Sequence, residues 1–202
     1  MKILLVSALL NLFALNTFAQ ISEFSPLISA TFNPGLGNGK IYSAEMEHLH
    51  GIYNGGNLLI NYHIGEHLSI SAGIGILTFN ANPIVDGQQA VTELDFFQLP
   101  VKVNYIGGAN AIKFQVGVVG FYNAHLTSVT VMGNNQTSEQ TNLGGNYGFA
   151  GELGPVFEIS SKLAVSVSLE HQFTISKVTG TQIDIENYLV KFGIQYAIKN
   201  RN

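Results

Sequence analysis

The chain has no cysteine and no tryptophan, and only 11% of its 202 residues are charged. The missing cysteines exclude disulfides, thiolate metal sites and a lipid-anchored lipoprotein. The shortage of charge argues against an ordinary soluble domain, where about 25% of residues are charged. Beyond the first twenty residues there is also no apolar run of the ~20 residues that a membrane helix requires. Lysine and arginine total 9 against 13 aspartates and glutamates, for a net charge of −4. The scattered lysines form no basic patch, which excludes nucleic acid as a partner. Low charge without membrane helices leaves membrane strands. A soluble up-and-down barrel would have to wet one whole face of every strand, yet the polar faces here are mostly Gly, Ser, Ala, Asn and Gln, which suit a crowded interior.

What is present begins with a leader. Lys2 precedes an apolar run from Ile3 to Leu15, and Thr17-Phe18-Ala19 places a small residue just before Gln20. This is the pattern of a secretory signal peptide cleaved after Ala19, and the run is too short for an anchor helix. Residues 20–202 are then expected to form one domain.

The organising stretch of that domain is Glu93 to Tyr105, ELDFFQLPVKVNY. Side chains of a strand alternate between faces. Phe97, Leu99, Val101, Val103 and Tyr105 therefore share one face, and Phe96, Gln98, Pro100, Lys102 and Asn104 the other. The apolar face has an aromatic at each end, and the layout recurs as Phe114 to Tyr122, Phe149 to Phe157 and Tyr188 to Tyr196. In each case the aromatics are eight positions apart (105 minus 97, 122 minus 114, 157 minus 149, 196 minus 188). Eight residues at ~3.3 Å and roughly 40° tilt rise about 20 Å, close to the apolar band between the aromatic girdles of a membrane barrel. Phe97, Phe149, Phe173, Tyr122 and Tyr188 are expected in the outer girdle, and Tyr105, Phe114, Phe157 and Tyr196 in the periplasmic one.

The same pattern places strands at 24–33, 56–64, 68–79, 93–105, 112–124, 147–159, 163–175 and 186–198. The expected fold is an all-β, eight-stranded antiparallel up-and-down transmembrane barrel, eight being an allowed number. Connections alternate between long (34–55, 80–92, 125–146) and short (65–67, 106–111, 160–162), with 176–185 of middling length. Short turns on one side and long loops on the other are the habit of outer-membrane barrels. Pro100 and Pro155 each remove a ladder donor, and each is expected to mark a bulge.

Leu99-Pro100-Val101, Val103 and Tyr105 resemble the "IPLxLKY" strand of the PorT-like outer-membrane β-barrel family, although Asn104 stands where that family usually has lysine. Val116 to Gly120 and Asn187 to Tyr196, similar to a closing "N-x-x-L-x-x-G-x-x-Y" strand, extend the resemblance over most of the chain. It implies a bacterial outer-membrane barrel in contact with lipid, with a structural or partner-binding role through its long loops. Some members of the family are associated with secretion machinery. The chain is expected to be a monomer without a cofactor. A small-solute or ion pathway is the alternative, and a lipid-modifying enzyme the second.

Catalytic and metal chemistry have few candidates. Glu45-Met46-Glu47-His48-Leu49-His50 offers carboxylates and imidazoles, but x-His-x-His spacing without a preorganised element is a weak metal signal. His125 lies three residues before Ser128, and His171 sits on the lipid-facing parity near the outer end of its strand. Neither has a visible carboxylate or oxyanion hole, so no enzyme is expected.

The inward charges form a more specific expectation. Setting Phe157 beside Phe114 and Phe149 beside Tyr122 places Lys113 opposite Glu158. Setting Phe173 beside Phe149 places Glu152 opposite Glu170, and setting Tyr188 beside Phe173 places Lys191 opposite Glu170. Two adjacent carboxylates repel, so they need Lys191 and a further cation, Lys102. The interior of an eight-stranded barrel is only just filled by side chains. A central plug of Lys102, Glu152, Glu170 and Lys191, with Lys113 and Glu158 below it, is the expected consequence.

Overall fold

Alternating β-branched and aromatic residues with small polar ones gives ten strands and no helix among the residues described by the computed structural model, which are 24–42, 49–85, 88–108, 112–132, 137–141, 144–177 and 184–200. In chain order they are β1 (Pro26–Tyr42), β2 (Leu49–Ile64), β3 (Leu68–Ala81), β4 (Ile84–Val85), β5 (Gln88–Gly107), β6 (Ile112–Met132), β7 (Thr137–Thr141), β8 (Gly145–Ser160), β9 (Leu163–Lys177) and β10 (Asp184–Asn200). Eight of them close a ring, β1-β2-β3-β5-β6-β8-β9-β10 and back to β1, with every pairing antiparallel. The fold is an eight-stranded antiparallel β-barrel. The signal peptide expected at residues 1–19 lies outside the described residues.

The two faces of the wall differ as alternation requires. Val101, Val103, Val116, Val118, Phe192 and Ile194 look outward and are half exposed, whereas Gln98, Lys102, Asn104, Gln115 and Glu152 look inward and are buried. Among the outward aromatics, Tyr105, Phe114, Tyr122, Phe149, Phe173, Tyr188 and Tyr196 are exposed, and Phe97 and Phe157 are half-buried.

Several boundaries differ from the sequence expectation. The short turns fall where expected, at Gly65 to His67 and Ser161-Lys162, and Gly65 has a φ of 80°, a left-handed value suited to glycine. The long connections are largely strand instead. β1 and β2 pair up to Ile41↔Leu49, and β5 and β6 up to Ala90↔Met132. These outer portions carry too little contrast between faces for periodicity to detect them, but backbone pairing does not need that contrast. β1 shows this best, because its Gly37 lies so close to the Tyr188 carbonyl that no Cβ would fit.

The two prolines are a further correction. Neither marks a bulge. The β3–β5 ladder passes from Ala72↔Val101 to Gly75↔Gln98 without a shift, and the β8–β9 ladder from Leu153↔Leu169 to Val156↔Ser166 likewise. Each proline interrupts the ladder locally by lacking an N–H, and the flanking pairs keep the register. Register shifts occur elsewhere, for example between Asp95 and Phe96.

Candidate functional site: the barrel lumen

The lumen is layered. At its loop end an apolar cap is built from Ile41, Tyr53, Leu77, Phe79, Phe96 and Leu189 with their neighbours, all buried. The Tyr53 and Phe79 rings are 4.7 Å apart and tilted by 44°. Burying aromatic surface in this way is strongly favourable.

Beneath the cap lies a polar middle layer. Lys102 Nζ is 3.0 Å from Glu152 Oε1, and Lys191 Nζ is 2.6 Å from Glu170 Oε2. All four side chains are at most 7% exposed. Neutral groups complete the layer, with Gln115 donating to Glu152 Oε1 at 3.1 Å, Gln172 donating to Glu170 and Asn104 donating to Gln115 at 3.2 Å. Charges taken from water are costly unless paired and hydrogen-bonded. Here each carboxylate has both a lysine and an amide donor. The free space beside Lys102 and Glu152 is about 20 Å³, room for about one ordered water.

At the opposite end, that of the short turns, Lys113 Nζ reaches Glu158 Oε1 at 2.6 Å, and Phe24 packs with Val156, Ala164 and Ala197. A network of amide, hydroxyl and imidazole groups crosses the junction of first and last strands. Gln195 Nε2 donates to Ser29 Oγ at 2.7 Å, Asn61 Nδ2 donates to the same oxygen at 3.0 Å, and His63 Nε2 lies 2.9 Å from it.

The structure thus brings together Lys102 with Glu152, Lys191 with Glu170, and Lys113 with Glu158, but two of the three expected registers are slipped by two residues. Tyr122 lies beside Tyr147 and Phe157 beside Ile112, so Lys113 faces Val156 across the ladder. Tyr188 lies beside His171 and Lys191 faces Ser168. The third is as expected, with Phe149 beside Phe173 and Glu152 beside Glu170. Barrel stagger can slip such a register by two residues, and in two of the three ladders it does, while the charges still cluster.

Sequence reasoning missed the apolar cap. Its signal was Phe96, an aromatic in phase with inward Gln98 and Lys102. The other histidines have structural surroundings. His125 is buried edge-on to Phe96 at 5.6 Å. His171 stacks on Tyr188 at 4.2 Å with an interplanar angle of 3°, and its Nε2 is 3.4 Å from Glu186 Oε1. Glu45 to His48 lie outside the described residues, and His50 is an exposed residue of β2. Among the described residues no group of three or more His, Cys, Asp or Glu side chains could hold a metal ion.

Among solved structures the barrel is similar to Neisserial surface protein A, with a TM-score of 0.56 at 11% identity over 87% of this chain and 100% of that one. It also matches Ail, the attachment invasion locus protein of Yersinia pestis, with a TM-score of 0.46 at 8% identity over 83% of this chain and 98% of that one. A third is the outer membrane protein OprG from Pseudomonas aeruginosa, with a TM-score of 0.41 at 12% identity over 87% and 99%. At such identities the first likeness establishes the fold and no more. No family model matches the chain, and none of the curated proteins matches it significantly. The PorT-like resemblance therefore rests on its short strand motifs.

Proposed function

We propose that this chain is a bacterial outer-membrane barrel with a closed lumen, acting in a structural or partner-binding role through its outer loops and strand ends, as the PorT-like motifs imply. Its outward apolar band supports contact with lipid, and the aromatics at either end of that band suit the two membrane interfaces. The observation that carries the closed-lumen reading is the pair of buried ion pairs, Lys102 with Glu152 and Lys191 with Glu170, beneath an apolar cap. An ion crossing this layer would have to break charge-assisted bonds and then pass an apolar constriction, and both steps are expensive. Purified protein reconstituted in a planar bilayer tests the reading. The expected record is electrically silent, and a steady single-channel conductance would replace it with the solute-pathway reading.

A further inference from the structure

On β5, β6, β8, β9 and β10 the outward residues between the two rows of aromatics are aliphatic, aromatic, glycine or proline, with one exception. On β5 they are Val103, Val101 and Leu99, and on β10 Ile194, Phe192 and Val190. β9 carries Val167 and Leu169 and then His171, two residues short of Phe173. Strand rise and tilt put the imidazole about 5 Å inside the aromatic row at the loop end. In apolar surroundings a polar group is costly unless hydrogen-bonded, and an ionisable side chain at membrane depth is the usual mark of a site.

The neighbours of His171 do not supply those bonds. Tyr188 covers one face of the ring at 4.2 Å. Nε2 lies 3.4 Å from Glu186 Oε1, within ion-pair range but off the line of a hydrogen bond. Among the described residues Nδ1 has no hydrogen bond. With one proton on the ring, the carboxylate favours it on Nε2, which leaves Nδ1 an acceptor. What is missing is a donor.

The other side of the ring is open. Across the β8–β9 ladder His171 faces Gly151, where an added Cβ would meet nothing within 4 Å, and the histidine side chain is 43% exposed. Phe149 and Leu153 precede and follow Gly151 on the outward face of β8, and Val118 is its partner on β6. All three are exposed. They and the imidazole frame a notch with three apolar walls and one polar wall, which suits a hydrocarbon chain carrying a single polar group. A partner's strand cannot pair here, because the backbones of β8 and β9 are already laddered on both sides. Ester carbonyls accept hydrogen bonds and do not donate them, so an ordinary diester lipid leaves Nδ1 unsatisfied, whereas a hydroxyl donates.

We propose, resting on the lipid-contact reading above, that this notch seats an acyl chain of a membrane lipid that bears a hydroxyl near its head end, the chain lying over Gly151 and the hydroxyl donating to His171 Nδ1. The depth of the imidazole places that hydroxyl close to the headgroup and far from the chain's methyl end.

The test uses the full barrel in phosphatidylcholine nanodiscs and two added phosphatidylethanolamines, one with myristoyl and one with β-hydroxymyristoyl chains. Native mass spectrometry reads the fraction of barrels that keep the added lipid. The hydroxylated lipid should be kept at about tenfold lower concentration than its analogue. His171→Phe retains a ring to stack on Tyr188 and loses the acceptor, so it should erase that preference. Gly151→Leu fills the notch and should weaken retention of both lipids. Equal retention of the two lipids by the unaltered barrel, or a preference that survives either substitution, would overturn the proposal. Equal retention overturns this inference alone, whereas a barrel that tolerates Val118→Arg in a bilayer overturns the lipid-contact reading beneath it.

Discussion

Lys191 Nζ lies 2.6 Å from Glu170 Oε2, although the residue across the ladder from Lys191 is Ser168. The lysine reaches diagonally along the neighbouring strand, a separation long side chains can bridge. Lys113 does the same, passing Val156 to meet Glu158. Flexible side chains therefore let charges find partners that register alone would not assign.

Removing one member of the mid-lumen set should be costly. Lys191→Met leaves Glu170 buried without its cation, and a loss of about 3–5 kcal/mol is expected. The double variant Lys191→Met/Glu170→Gln should regain most of it. Denaturant unfolding in detergent followed by circular dichroism measures both, and a neutral single variant would mean that water reaches Glu170.

The apolar cap makes the opposite prediction for a hydroxyl. Tyr53 is fully buried, and its hydroxyl has no hydrogen-bond partner among the described residues. Tyr53→Phe removes that unsatisfied group and should be neutral or stabilising by up to about 1 kcal/mol in the same unfolding assay.

Glycines separate the cap from the outer wall. A Cβ on Gly51 would meet the Phe79 ring and the Asn80 carbonyl, whereas nothing lies within 4 Å of one on Gly151. Gly51→Ala should therefore destabilise by about 1–3 kcal/mol through overpacking. Gly151→Ala should leave the unfolding midpoint nearly unchanged.

Contact with lipid can be tested on the outward face. Val118 is 59% exposed in the middle of that face, and Val118→Arg should cost about 2–4 kcal/mol in a bilayer. A barrel surrounded by water would tolerate the change. The mature protein should begin at Gln20, fractionate with the outer membrane and show heat-modifiable migration, and recovery from the soluble periplasm would refute the placement.

How much of this was legible depended on contrast between faces. From Phe97 to Tyr105 every second residue is large and apolar, so strand, parity and inward lysine could all be read. Around Gly35, Gly37 and Gly39 there was nothing to alternate, and β1 extends to Tyr42, beyond the predicted end at residue 33. The charged lumen residues were legible because parity fixed their side of the wall. Their exact neighbours were not, because barrel stagger is a global property that no local pattern records. Half of the cap went unread because Ile41, Leu49, Tyr53, Ala81 and Ile185 lay in segments that looked like loops, which left Leu77, Phe79, Leu94, Phe96 and Leu189 without visible partners.

The junction between β1 and β10 has a consequence for how the ring is made. These are the first and last strands, so the circle shuts only when the two ends of the chain meet. Both mid-lumen ion pairs lie on β5, β8, β9 and β10, and neither spans that meeting point. What does cross it near the base is uncharged, the Gln195 amide on the Ser29 hydroxyl. An open sheet of β5 to β10 can thus neutralise its buried charges first. The ends can then join, or part, without stripping any of those ions of its counterion.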